Sequence, residues 1–119
     1  MELAIAVLPA DDIGAARDFY VGKLGFTVRF EHTEDGVTGL LGLARGSMWL
    51  TIDAPMSGHG RQACVSLQVE DADRYYEEWQ TRAEIPHPPR EESWGARTFS
   101  VHDPAGNTIF VIGPGTTPG

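Results

Sequence analysis

The sequence predicts an α+β domain made of two βαβββ modules, with curved mixed sheets and the helices on the outside. Three observations carry this. The chain repeats itself at a shift of 59 residues, Ala4–Leu8 falling on Ala63–Leu67 and Asp11-Asp12 on Glu70-Asp71. Each copy opens with a short alternating strand, then an acidic helix cap and an amphipathic helix. Each helix is followed by short alternating runs separated by turn residues, the pattern of antiparallel strands.

In the first copy, Asp11 or Asp12 caps a helix that runs to about Leu24. Ile13, Ala16, Phe19 and Tyr20 share one of its faces, and Gly25 is suited to end it. Phe26–Phe30, Thr38–Leu43 and Met48–Asp53 then read as strands, with turns at Glu34-Asp-Gly and Arg45-Gly. In the second copy, Asp71 caps a helix whose face is Ala72, Tyr75, Tyr76 and Trp79. A strand is expected somewhere in Ala83–Arg90, although Pro86, Pro88 and Pro89 interrupt it and leave an irregular loop up to Trp94. Ala96–His102 and Asn107–Ile112 complete the module. The modules span about 1–54 and 61–113, the Gly/Pro-rich Ala54–Gly60 joins them, and 114–119 reads as a flexible tail.

Composition narrows the function. Nine basic residues stand against seventeen acidic ones, a net charge of -8, which argues against a nucleic-acid partner. It suits a cationic ligand or simple solubility. No run reaches the roughly 18 apolar residues of a membrane span. The N-terminus lacks a basic region before its apolar run, which argues against secretion. A lone cysteine, Cys64, suits a reducing cytoplasm.

The duplicated βαβββ pattern resembles the vicinal-oxygen-chelate superfamily of glyoxalases, extradiol dioxygenases and bleomycin-resistance proteins. AARDFYVGKLGF resembles its helix-to-strand passage and HDPAGN its final hairpin turn. WGARTFSVHDPAGNTIF and RYYEEW narrow the resemblance to the bleomycin-binding proteins. That resemblance implies a homodimer with ligand clefts between subunits and a tryptophan stacked on the ligand. Enzymes of the superfamily hold a divalent metal on the concave face of the sheet. Their ligand positions correspond here to Ile5, Trp49, Cys64 and Phe110. One thiol beside Ile, Trp and Phe is not a metal site, and His32, His59, His87 and His102 fall on none of these positions.

Alternation then assigns faces. Trp49, Thr51 and Asp53 face the cleft while Leu50 and Ile52 go to the core. Cys64 and Ser66 face it on the next strand, and Thr98, Ser100, His102 and Phe110 on the closing hairpin. Phe30 and the Trp94-Gly95 lip are placed to close it. Glu31, Asp53, Glu91 and Glu92 form an acidic rim for a cationic tail. Structural roles compete at several positions. Trp94 is also suited to anchor its own loop, Trp49 and Phe110 to fill core, Cys64 to be a small buried hydrophobe, and His102 to cap a hairpin. Arg97 falls on the helix side, where an acidic residue of the second helix would pair with it.

The sequence therefore predicts a metal-free, cofactor-free binding protein, not an enzyme. Its ligand is a bleomycin-like cationic aromatic antibiotic, and sequestration gives resistance. The alternatives are a metal-dependent glyoxalase- or dioxygenase-type enzyme and a binder of another natural product.

Overall fold

Both modules begin with a short strand that pairs in parallel with the module's own last strand. The computed structural model describes residues 3–54 and 62–116. In the first module, β1 (Ala6–Pro9), β2 (Thr27–Glu34), β3 (Val37–Arg45) and β4 (Met48–Asp53) form a sheet of order β1-β4-β3-β2. In the second, β5 (Cys64–Gln68), β6 (Arg90–Glu91), β7 (Ala96–His102) and β8 (Thr108–Pro114) form the order β5-β8-β7-β6. Ala6 pairs with Leu50 and Val65 with Ile109, so the 59-residue shift carries one parallel pair onto the other.

The helices start where the acidic caps lie. Asp12 accepts from the Ala15 amide at 3.2 Å and opens α1 (Ile13–Arg17). Asp71 accepts from the Arg74 amide at 3.3 Å and opens α2 (Ala72–Trp79). Beyond Arg17 the first helix continues as a π-helical turn, Asp18–Lys23, with Phe19 and Tyr20 both buried. Gly25 follows at φ 79°, a conformation that a β-carbon resists. Between β2 and β3, Asp35 and Gly36 both have positive φ, the geometry of a two-residue hairpin turn.

One contiguous core joins the modules. In it, Tyr20 of the first helix joins Leu41, Leu43, Leu50 and Ile52 of the first sheet, and Trp79 of α2 joins Phe99, Val101, Ile109 and Val111 of the second. The expected strand within Ala83–Arg90 does not form. Only Glu84 bridges to His102, and pairing resumes at β6, after the three prolines. At the C-terminus Pro114 closes β8, and Thr116 bonds to Glu91, so the described part of the expected tail is hydrogen-bonded. Residues 117–119 and most of the expected 54–60 linker lie outside the described residues. No helix among the described residues is long and apolar enough to cross a membrane.

Polar contacts tie the two modules together at two places. Asp103, buried at the β7–β8 turn, accepts from the Ala105 and Asn107 amides, Asn107 Nδ2 and Tyr20 Oη. Burial first, and then the neighbouring Asp103 charge, hold the Tyr20 hydroxyl protonated far above its ordinary range. Asn107 also donates to Pro9 O of β1 at 2.8 Å and accepts from the Ala63 amide at 2.9 Å. At the second place, Trp79 Nε1 and Arg45 Nη1 both donate to Leu24 O, and Arg45 forks onto Glu78. Arg97 pairs with Asp73 of α2 at 2.8 Å, on the helix side, where alternation put it.

Asn107→Ala leaves a buried carboxylate, a carbonyl and an amide short of partners. It should cost about 2–4 kcal/mol in urea unfolding. The hydrogen bond from Arg45 holds Glu78 below the usual carboxylate range. Its contribution is therefore complete above that range and lost as pH falls through the depressed value. Glu78→Gln should lower stability by about 1 kcal/mol or less at neutral pH, and the gap to wild type should close in acid.

Candidate functional site

The face of the first sheet turned away from its helix presents aromatic side chains where the opposite face presents core. Leu41, Leu43, Leu50 and Ile52 are essentially inaccessible, while Trp49, Thr51 and Asp53 are half-buried on the other side of the same strands. Cross-strand pairing sets Val7, Thr51, Gly42 and Phe30 in one row, and Pro9, Asp53, Leu40 and His32 in the next. The Phe30 ring lies directly on Gly42. A β-carbon there would meet the ring at 2.1 Å, so the glycine is what lets the ring pack this closely against the sheet. Phe30 remains 43% exposed.

Arg29 joins this face through a break in pairing. Val28 pairs with Leu43 and Phe30 with Gly42, so Arg29 is an extra residue at a β-bulge. The bulge cancels one step of alternation, and Arg29 and Phe30 both address the open face. The Arg29 guanidinium sits 3.8 Å from the Trp49 ring centroid. Alternation counted back from Phe30 puts Arg29 on the helix side, which is why the sequence reading missed it.

The corresponding face of the second sheet is more polar. Its rows run Ser66–Phe110–Ser100 and Cys64–Thr108–His102, with Phe99, Val101, Ile109 and Val111 on the buried side. Cys64 is exposed, so it is not the buried hydrophobe that its residue type suggests. Thr98 has the expected parity but is fully buried, because the Arg90–Glu92 segment crosses it and Glu92 accepts from Thr98 Oγ1 at 2.8 Å. That hydrogen bond, and then one from Arg90, pull Glu92 below the usual carboxylate range. Trp49 and Ser66 are brought together along a groove of about 320 Å³ between the sheet edges, with Ala6, Met48 and Gln68 beside them. Trp94 stands 61% exposed at the tip of the β6–β7 loop, so it does not bury itself to anchor that loop. Gly95 behind it has φ 87°.

The expected acidic rim is largely used up within the chain. Glu31 falls on the helix side and pairs with Arg17. Glu91 approaches Arg97 and accepts from Thr116, and Glu92 is held by Arg90 and Thr98. Asp53 is the rim carboxylate left on the open face.

The same pairing tests whether a metal would fit. Through the repeat, the β8 residue opposite Cys64 is Thr108, and Phe110 lies opposite Ser66. Neither threonine nor phenylalanine completes a divalent-metal site with Ile, Trp and one thiol. The donor set does not fit the superfamily's metal.

Known proteins share this fold. A family model described as the Glyoxalase/Bleomycin resistance protein/Dioxygenase superfamily matches residues 3–111. A solved bleomycin-binding protein from Streptomyces verticillus, complexed with copper(II)-bleomycin, is 29% identical, with a TM-score of 0.74 over 93% of this chain and 95% of that one. A bleomycin resistance determinant encoded on the transposon Tn5 is 22% identical, with a TM-score of 0.79 over 96% and 98%. An antibiotic binding protein from a Streptomyces species is also 22% identical, with a TM-score of 0.79 over 96% and 97%. No curated protein matches the chain.

Gly42→Ala should keep the fold but lift the Phe30 ring, shifting its aromatic proton resonances and costing about 1–3 kcal/mol in thermal unfolding.

Proposed function

We propose that this chain, which belongs to the Glyoxalase/Bleomycin resistance protein/Dioxygenase superfamily, is a metal-free binding protein that captures a flat aromatic antibiotic and confers resistance by sequestration. The observation that carries this reading is the open face of the first sheet. Trp49 is half-buried there under the Arg29 guanidinium, and the Phe30 ring packs against Gly42 one pairing row away. Aromatic platforms with scattered hydroxyls suit a planar heteroaromatic ligand and supply no general base paired with a nucleophile. A bleomycin is the first ligand to test, given the similar protein that is complexed with one.

In this reading Phe30, Trp49, Thr51 and Asp53 form one wall. Cys64, Ser66, Ser100, His102 and Phe110 form the other, and Trp94-Gly95 closes the cleft from a second copy of the chain. A homodimer is supported by shape. The radius of gyration is 14.9 Å, against about 13.5 Å for a compact chain of this length. Every residue of β2 is exposed, and Val28, Phe30, Val37 and Trp94 leave apolar surface in the open.

Calorimetric titration of chelator-treated protein should show saturable, stoichiometric bleomycin binding at micromolar concentration. No heat of binding would refute that ligand. Trp49→Ala and Trp94→Ala should each weaken binding by roughly 1–3 kcal/mol, and unchanged affinity would remove that residue from the site. Light scattering should report a dimer, and a monomer would take Trp94 out of the cleft. Stoichiometric Ni, Zn, Mn or Fe in the purified protein would favour a metal enzyme.

A further inference from the structure

We infer that Arg29 sets the ligand class of this site: it selects planar aromatic molecules that carry an anionic group, such as a carboxylate, sulfonate or phenolate. The inference rests on the aromatic site proposed above and departs from that reading on charge: Arg29 favours an anionic aromatic ligand over a cationic bleomycin. Three observations carry it.

The first is placement. The bulge between Val28 and Phe30 turns Arg29 onto the face that holds Trp49, Thr51 and Phe30. Bulges re-aim side chains at the cost of ladder pairing, and here the re-aimed group is the cation at the centre of the aromatic platform. The second is how the guanidinium is held. It lies 3.8 Å from the Trp49 centroid, and none of the ion pairs among the described residues joins it to a carboxylate. By contrast Arg17, Arg45, Arg90 and Arg97 all have carboxylate partners. A stacked guanidinium keeps its in-plane N–H donors available, and those donors match a carboxylate or sulfonate in geometry and charge. The third is the electrostatic surroundings. Glu31, Glu91 and Glu92 are engaged within the chain, which leaves Asp53, two pairing rows away from Trp49, as the rim carboxylate on this face. A cationic ring entering over Trp49 would meet Arg29 first and be repelled. An anionic ring would slide along the Phe30 platform and exchange Arg29's contact with the indole for an ion pair at the ligand's edge.

Two probes with one ring system separate charge from shape: pyrenesulfonate and (pyrenylmethyl)trimethylammonium. Their binding is read by quenching of protein fluorescence and by calorimetry, on the full chain and on Trp49→Ala, Arg29→Gln and Arg29→Glu. Arg29 is exposed, so its variants should keep the wild-type melting curve. The wild type should bind the sulfonate roughly tenfold or more tightly than the ammonium probe. Arg29→Gln should lose that preference, Arg29→Glu should invert it, and Trp49→Ala should weaken both probes. If both probes bind in a Trp49-dependent way and their ratio ignores residue 29, the inference on Arg29 is overturned while the aromatic site stands. If neither probe shows Trp49-dependent binding, the site reading fails and the inference with it.

Discussion

The buried carboxylate of Asp103 is the constraint on which the arrangement of the two sheets depends. It is nearly inaccessible and accepts four hydrogen bonds, one of them from Tyr20 in the other module. A charge out of water is tolerated only when it is saturated with donors, so the turn, the first helix and β1 must all stand where they do. Asn107 extends the same network to Pro9 and Ala63, the strand of one module and the approach to the first strand of the other. The Asp-Pro-Ala-Gly-Asn turn is therefore a joint between modules as well as the end of a hairpin. Because the sheets are locked at this corner, Trp49 and Ser66 can line one groove although they belong to different modules.

Given that joint, each sheet divides its residues by parity. The helix side takes Leu, Ile, Val and Phe and becomes core, and the far side keeps Trp49, Thr51, Ser66 and Ser100. Two local departures shape the far side further. Gly42 lacks the β-carbon that would push Phe30 away, so the ring packs closely against the sheet. The bulge at Arg29 puts two successive side chains on one face. Both departures add flat or charged surface at the same spot.

The charge pattern is subtler than a net charge of -8 suggests. Many of the acidic groups work as helix caps, as strand-to-loop anchors or as partners of arginine. Asp12 and Asp71 open helices, Glu78 and Asp73 hold arginines, and Glu92 fixes the loop over Thr98. An excess of acidic residues in the sequence thus need not appear as a negative field in the cleft. What reaches the open face of the first sheet is one arginine on an indole and one aspartate at some distance from it.

The sequence by itself determined the duplicated architecture, the helix caps and the division of strands into core and open faces. Each of these is a local or periodic property: alternation of period two, an acidic residue before an amphipathic run, and a repeat whose shift recurs in the strand pairing. The tertiary structure alone decided the rest. It showed that Glu31 spends its charge on Arg17, that Thr98 is covered by Glu92, that Cys64 is exposed and that Trp94 stands out from its loop. It also placed Arg29 over Trp49. None of these follows from periodicity, because each depends on a bulge, a crossing segment or a partner distant in sequence, and one unpaired residue in a strand is enough to reverse which way the next side chain points.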